Sequence, residues 1–345
     1  MRECNHSQQQ STSCTRPDDS LSIWYRLADR VLTGHSLSRD EGIGILHASN
    51  DELLDLLAAA YRVRKHWFGH QVNLNFLINA KSGNCSENCS YCSQSSVSSA
   101  TIPTHAMLPY EDLLAGANVA FERGAKTYCI ATSGRILAKS DLEIFERAIP
   151  DIKRRFPLTI CMSSGLLDLE SAQQLKACGV DRINHNLNTS ERYYPTICTT
   201  HSYKDRLLTL CAAREAGLSL CSGGIVGMGE EPADVVDLAL QLRELQVEAV
   251  PVNFLQPILG TPLEGKCHLT PQYCLKVLAM FRLTNPRCEL RIAAGREMHL
   301  RSLQPLGLYV ANSIFVGDYL TTKGQPCEDD YRMIEDLGFE SKACV

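Results

Sequence analysis

The sequence has no basic surplus. Its 34 lysines and arginines stand against 39 aspartates and glutamates, a formal charge of −5. Nothing in that balance would hold a phosphate backbone, so nucleic acid is not an expected partner. No apolar run approaches the roughly 18 residues that a membrane span needs. The first 20 residues are rich in Gln, Ser, Thr and Asp and lack the apolar stretch of a secretion signal. A membrane partner is therefore not expected, and a cytosolic location is. No Gly-, Pro- or Ser-rich linker divides the chain, and no short repeat recurs. Cysteine numbers 16 in 345 residues, short of the roughly 8–10% typical of a disulfide scaffold. In a reducing compartment such thiols stay free, and clustered ones point to metal binding or catalysis.

With 44% hydrophobic and 21% charged residues, the chain can bury a large core, as two average domains or one barrel of roughly 250–350 residues. Residues 1–20 are expected to form a disordered polar tail in which Cys4 and Cys14 are incidental. Residues 21–70 are expected to be a helical extension. Asn50 is a candidate N-cap there, ahead of a stripe of Leu53, Leu54, Leu57, Tyr61 and Arg64. From 71 to 345 the chain alternates. β-rich runs fall at 72–79, 127–132, 158–163, 181–187, 218–226, 248–254, 289–294 and 311–316. Amphipathic helical stretches lie between them: Asp168 to Ala177 closing at Gly179, Tyr203 to Ala216 closing at Gly217, and Thr270-Pro271 through Phe281, stopped by Pro286. Eight strands separated by helices predict an α/β fold, a (β/α)8 TIM-type barrel with its site at the C-terminal strand ends.

The strongest motif is Cys85-x3-Cys89-x2-Cys92, directly after the first strand. Three thiolates in eight residues can wrap one cluster, and a four-iron cube would keep one iron open for a non-protein ligand. Zinc is the alternative, although zinc motifs usually come as paired C-x2-C units or with histidine, and no second C-x2-C occurs. Cys129, Cys161 and Cys221 fall inside separate predicted strands. Each alone reads as core filler, but barrel strands could aim all three into one lumen. Arg291, on another strand, would offset negative charge there. Cys274, with Leu278 and Phe281, and Cys211, with Leu207, read as helix packing. Cys178, Cys198, Cys267, Cys288, Cys327 and Cys344 fit no pattern.

The triplet resembles that of the radical S-adenosylmethionine (radical SAM) superfamily. Further runs narrow the likeness: YCIATSGR (128–135), ICMSSG (160–165), INHNLNTS (183–190), CSGGIVGMGE (221–230), VPVNFL (250–255), GTPL (260–263) and LRIAAGRE (290–297). Together, from about residue 22 to 340, they resemble the biotin synthase family. That resemblance implies a [4Fe–4S] cluster on Cys85, Cys89 and Cys92, with SAM on its open iron. It also implies a [2Fe–2S] cluster on Cys129, Cys161, Cys221 and Arg291 that donates sulfur to dethiobiotin. No protein acid or base activates an aliphatic C–H, so a cofactor must carry that step. By the same likeness Tyr91 contacts adenine, and Gly223, Ile225 and Gly227, ahead of Glu230, line the adenine side. Asn186 and Asn188 suit ribose hydroxyls, and Arg206 suits the SAM carboxylate. Asn184, Asn186 and Asn253 suit the ureido ring of dethiobiotin. Asn184, Asn186 and Asn188 alternate, as on one strand face; relatives often carry Asp where Asn188 stands. Flavodoxin or ferredoxin as electron donor and a homodimer are also implied. A hydrogenase-maturase type of radical SAM enzyme and a non-catalytic metal-binding protein are the other readings.

Overall fold

Among the described residues the β-rich runs become nine strands, and a short tenth follows near the end: β1 Gln71–Lys81, β2 Thr127–Thr132, β3 Thr159–Ser163, β4 Arg182–Asn184, β5 Ser219–Cys221, β6 Gly224–Val226, β7 Ala249–Phe254, β8 Glu289–Ile292, β9 Ser313–Phe315 and β10 Glu340–Ser341. The computed structural model describes residues 22–266 and 268–341. The expected tail at 1–20 lies outside them, as do Cys4, Cys14, Cys267 and Cys344.

All pairings along the sheet are parallel, in the order β1-β2-β3-β4-β5-β7-β8-β9, and β9 pairs back to β1. The sheet therefore closes into a barrel of eight staves, the fifth split into β5 and β6, which both pair with β7. Among the described residues twelve helices accompany it: α1 Ile23–Leu32, α2 Arg39–Leu46, α3 Leu53–Phe68, α4 Tyr110–Glu122, α5 Lys139–Arg155, α6 Leu169–Ala177, α7 Tyr203–Glu215, α8 Pro232–Glu244, α9 Pro271–Thr284, α10 Arg296–Leu300, α11 Gln304–Val310 and α12 Cys327–Asp336. Each of the eight staves is followed by at least one helix, the arrangement of a (β/α)8 barrel.

Local chemistry sets these ends. The Asp168 side chain accepts from Ser171 N at the start of α6, and Thr270 accepts from Tyr273 N ahead of Pro271 in α9. Ser38 and Glu41 form a reciprocal capping box on α2. The helices α1–α3 form an N-terminal extension packed on α8, α9 and α11. Lys276 fastens it by donating to Ala48 O and to Asn50 Oδ1 at 2.9 Å.

Some local expectations fail. Asn50 does not cap α3: Glu52 stands at the cap, and the Asn50 amide is taken by Lys276. Leu54 is 68% exposed, because the inward stripe runs through Leu53, Leu56, Leu57 and Ala60 instead. Cys211 is exposed and does not pack. The fourth strand ends at Asn184, because Asn188 takes a left-handed turn (φ 70°) to bridge Gly224. Asn186 and Asn188 therefore sit beyond the strand, on the loop. Among the described residues, no helix is long and apolar enough to cross a membrane.

Candidate active site

Register decides which residues meet inside the barrel. Leu77 on β1 pairs with Cys129 on β2, which pairs with Cys161 on β3. Farther round, Asn184 on β4 pairs with Cys221 on β5, and Arg291 on β8 pairs with Ser313 on β9. Cys129, Cys161 and Cys221 thus share one small buried cluster with Ala249, bordered by Leu77 and Phe315. Cys161 lies between the other two thiols and interacts with both. The Cys161 bond holds the Cys129 thiol below its usual value; burial opposes this and Arg291 assists. Cys161 and Cys221 are pushed up.

Beneath them lies a charged floor. Arg291, fully buried, reaches Glu289 Oε1 at 2.7 Å and lies 4.0 Å from Cys129 Sγ, with its guanidinium over the Phe315 ring. Arg182 meets Glu289 from the other side at 3.5 Å, and Ser313 Oγ donates to the same carboxylate at 2.8 Å. Burial would raise the Glu289 carboxyl, but the two guanidiniums hold it down to about 2. Two cations against one anion leave this dry floor with a net positive charge, which favours an anionic occupant above it.

Above the floor a cavity of about 380 Å³ opens, a volume suited to a small-molecule site. Cys129, Cys161 and Arg291 line its depth, and Cys85, Cys89 and Cys92 line its mouth. Cys221 stands just behind, its sulfur accepting from Asn184 Nδ2 at 3.1 Å. Tyr91, Asn184, Asn186, Asn188, Arg206, Ile225 and Asn253 all line the walls. The Asn188 amide donates to Tyr91 Oη at 2.7 Å. Asn186 Oδ1 accepts from Gly223 N, while the Asn253 amide joins Gly224 O to Ala294 N. Arg206 is buried; it donates to Tyr194 Oη, Asn186 O and His201 Nε2. Burial weighs against its charge, but the phenols of Tyr91 and Tyr194 and the Cys89 thiol outweigh that, keeping it cationic.

Two of the expected residues stand behind the cavity wall. Gly223 and Gly227 do not line the cavity. A Cβ on Gly223 would lie 1.9 Å from Pro251 O, and Gly227 (φ 102°) backs onto Leu269. Strand packing and turn geometry explain both glycines. Glu230 likewise points into the turn, accepting from Gly227 N and Met228 N.

Several residues emerge only from the fold. His185 faces the cavity with Nε2 buried and unpartnered, and burial, then the Arg206 charge, keeps its ring neutral. Its place between Asn184 and Asn186 was the one signal the sequence offered. Glu87, inside the cysteine loop, accepts from Thr200, His201 and Arg135. Burial pushes its carboxyl up, yet these donors hold it below the usual range.

The Radical SAM superfamily profile matches residues 80–242, and that of the Biotin and Thiamin Synthesis associated domain matches 251–340. The chain is 54% identical to the biotin synthase of Rhodopirellula baltica over 91% of its length and 88% of the relative's. It is 54% identical to that of Geobacillus thermodenitrificans over 92% and 96%, and 52% identical to that of Bacillus subtilis over 93% and 96%. Among solved structures, methylornithine synthase superposes with a TM-score of 0.80 at 21% identity, covering 91% of this chain and 97% of that one. The FeFe-hydrogenase maturase HydG of Carboxydothermus hydrogenoformans superposes at 0.78 and 17%, covering 93% and 80%. At such identities these two likenesses are of fold alone.

Proposed function

Because the chain belongs to the biotin synthase family, radical SAM sulfurtransferases, we propose that its two groups of cysteines divide one reaction between them. The reaction converts dethiobiotin to biotin with SAM and iron–sulfur clusters. In this reading Cys85, Cys89 and Cys92 hold a [4Fe–4S] cluster at the mouth, and Cys129, Cys161, Cys221 and Arg291 hold a [2Fe–2S] cluster on the floor. The donor sets fit: soft thiols suit iron–sulfur groups, and the net cationic floor suits an anionic cluster. When bound, these groups supply a radical able to take hydrogen from an unactivated carbon, and the sulfur that takes its place.

The protein's own part is placement and shelter. Arg206, fixed by Tyr194 and Asn186, presents a permanent cation to the SAM carboxylate. Tyr91 and Ile225 bracket adenine, and Asn186 and Asn188 take the ribose hydroxyls. Asn184, Asn186 and Asn253 take the ureido ring. Gly223 and Gly227 contribute by shaping the backbone beside it. Buried walls exclude water and hold reacting groups at contact distance. Residues from 71 onward act as one catalytic unit, since segments matched by both family profiles supply staves of the same barrel. A cytosolic location, a flavodoxin or ferredoxin donor and a homodimer complete the proposal on family grounds.

The observation that carries the division is the convergence of Cys129, Cys161 and Cys221 beside Arg291, below a separate thiol triplet. Anaerobic reconstitution followed by iron and sulfide analysis tests it. Two clusters of different size support it; a single cluster, or zinc, overturns it.

A further inference from the structure

Cys198 fits no sequence pattern, and the fold sets it against one cysteine of the mouth triplet. Its Sγ lies 3.7 Å from Cys89 Sγ, and both residues are buried. The segments carrying them are laced together on both sides of the pair. Ser90 N donates to Ile197 O at 2.9 Å, and the Asn88 side chain both accepts from Thr199 N and donates to Thr199 Oγ1. Cys89 and Cys198 are thereby held face to face by their own chain neighbours.

His201 lies close by, and the ligand atoms of Cys89, Cys198 and His201 fall within 4.8 Å of one another. A metal site does not follow. Arg206 can only donate, so His201 Nε2 accepts from it. The ring proton is then on Nδ1, which faces Glu87 Oε2 and Cys198 Sγ. Both nitrogens are occupied, and what remains free to react is a dithiol.

We propose that Cys89 and Cys198 form a reversible disulfide when the mouth cluster is lost to oxidation, parking Cys89 in a form that can be recovered. This rests on the reading of Cys89 as a cluster ligand. Hydrogen peroxide is the oxidant. Cys89 lines the cavity, so peroxide reaches its sulfur; the thiol proton leaves with the departing oxygen, and the O–O bond breaks to give a sulfenic acid and water. Cys198 then attacks the Cys89 sulfur, an S–S bond forms and the sulfenic oxygen departs as water. Two thiols have lost two electrons and two protons, and one peroxide has become two waters. Closing from 3.7 Å to the roughly 2.05 Å of a disulfide takes a side-chain adjustment. Without Cys198, a second peroxide would drive Cys89 to the irreversible sulfinic acid, unless Cys85 or Cys92 intercepted it.

The experiment uses the full-length reconstituted protein and its Cys198→Ser variant, with iron measured first. Both are treated with hydrogen peroxide, alkylated and digested with trypsin. The cysteine-loop peptide spans 82–123 and the Cys198 peptide 193–204; cleavage after Glu87 then separates Cys85 from Cys89 and Cys92. The expected result is a Cys89–Cys198 cross-link in the native sequence. In a portion kept intact and unalkylated, thiol reduction should restore iron uptake to the native protein, while Cys198→Ser shows sulfinic acid at Cys89 and loses uptake. A native protein that instead links Cys89 to Cys85 or Cys92, or recovers no better than the variant, overturns the proposal. The wild-type cross-link is decisive even if Cys198→Ser folds poorly. Failure to take up iron at all would count against the cluster assignment, and the cross-link is read independently of it.

Discussion

Cys161 sits between the other two barrel thiols, Cys129 and Cys221. Replacing it with alanine should leave SAM cleavage intact, since the mouth triplet is untouched, and abolish biotin. Quantifying 5′-deoxyadenosine and biotin from one anaerobic incubation checks this; full biotin yield from Cys161→Ala would refute the sulfur-source assignment. Asn188 offers a finer test. Its amide donates to Tyr91 Oη, and an aspartate there would accept from the same phenol and bind a ribose hydroxyl through a charge. Charge-assisted hydrogen bonds are about twice as strong as neutral ones, a gain of about 1 kcal/mol. Asn188→Asp should therefore tighten SAM binding about fivefold, and an unchanged or weaker Kd by equilibrium binding would contradict the ribose role. The triplet was legible because three thiols packed into eight residues suit a metal or cluster and little else. Cys198 and His201 were not, because their meaning depends on a loop contact spanning 109 residues of sequence.

Helix α2 turns on Glu41, whose carboxylate accepts from Ser38 N at 2.8 Å and pairs with His35 and Arg30. Burial raises its pKa, but these donors overcome that and hold it down to about 2. A carboxyl depressed by folding contributes stability above its unfolded value near 4.5, and that contribution fades as pH falls toward 2. Glu41→Gln should cost about 1 kcal/mol at pH 7 and flatten the acid limb of the stability profile, read by urea unfolding across pH 2–7. On the fifth stave Gly223→Ala should cost about 3 kcal/mol or more, since its Cβ would meet Pro251 O at 1.9 Å. Thermal melts of the two variants rank these effects, and Gly223→Ala melting at or above Glu41→Gln would contradict the strand-packing account. The eight staves were legible because apolar strands alternate with capped helices. Their ends were less so. The 181–187 run stops at Asn184 because Asn188 needs a left-handed turn, and the 218–226 run breaks at Ser222-Gly223. Such turns are set by neighbouring strands, which local pattern does not encode.

Across the whole molecule the helical extension and the barrel share one continuous core, with Leu56, Ala60 and Val63 buried alongside Leu275 and Leu278. Buried Lys276 and the exposed Arg39–Asp237 pair tie the two together. Removing residues 1–70 would uncover that apolar face, so the truncated chain should be largely insoluble, and a soluble, cooperatively melting product would contradict this coupling. Closure of the barrel was predictable from the strand count, whereas the packing of the extension against α8, α9 and α11 was not, because amphipathic stripes do not name their partners. The shut floor of Arg182, Glu289, Arg291 and Ser313 has one more consequence. A vessel sealed at its base admits visitors from above and in sequence. A molecule resting on Cys161 is therefore expected to arrive before one that rests on Tyr91, both lining the same cavity, and an initial-rate pattern of random addition would contradict that order.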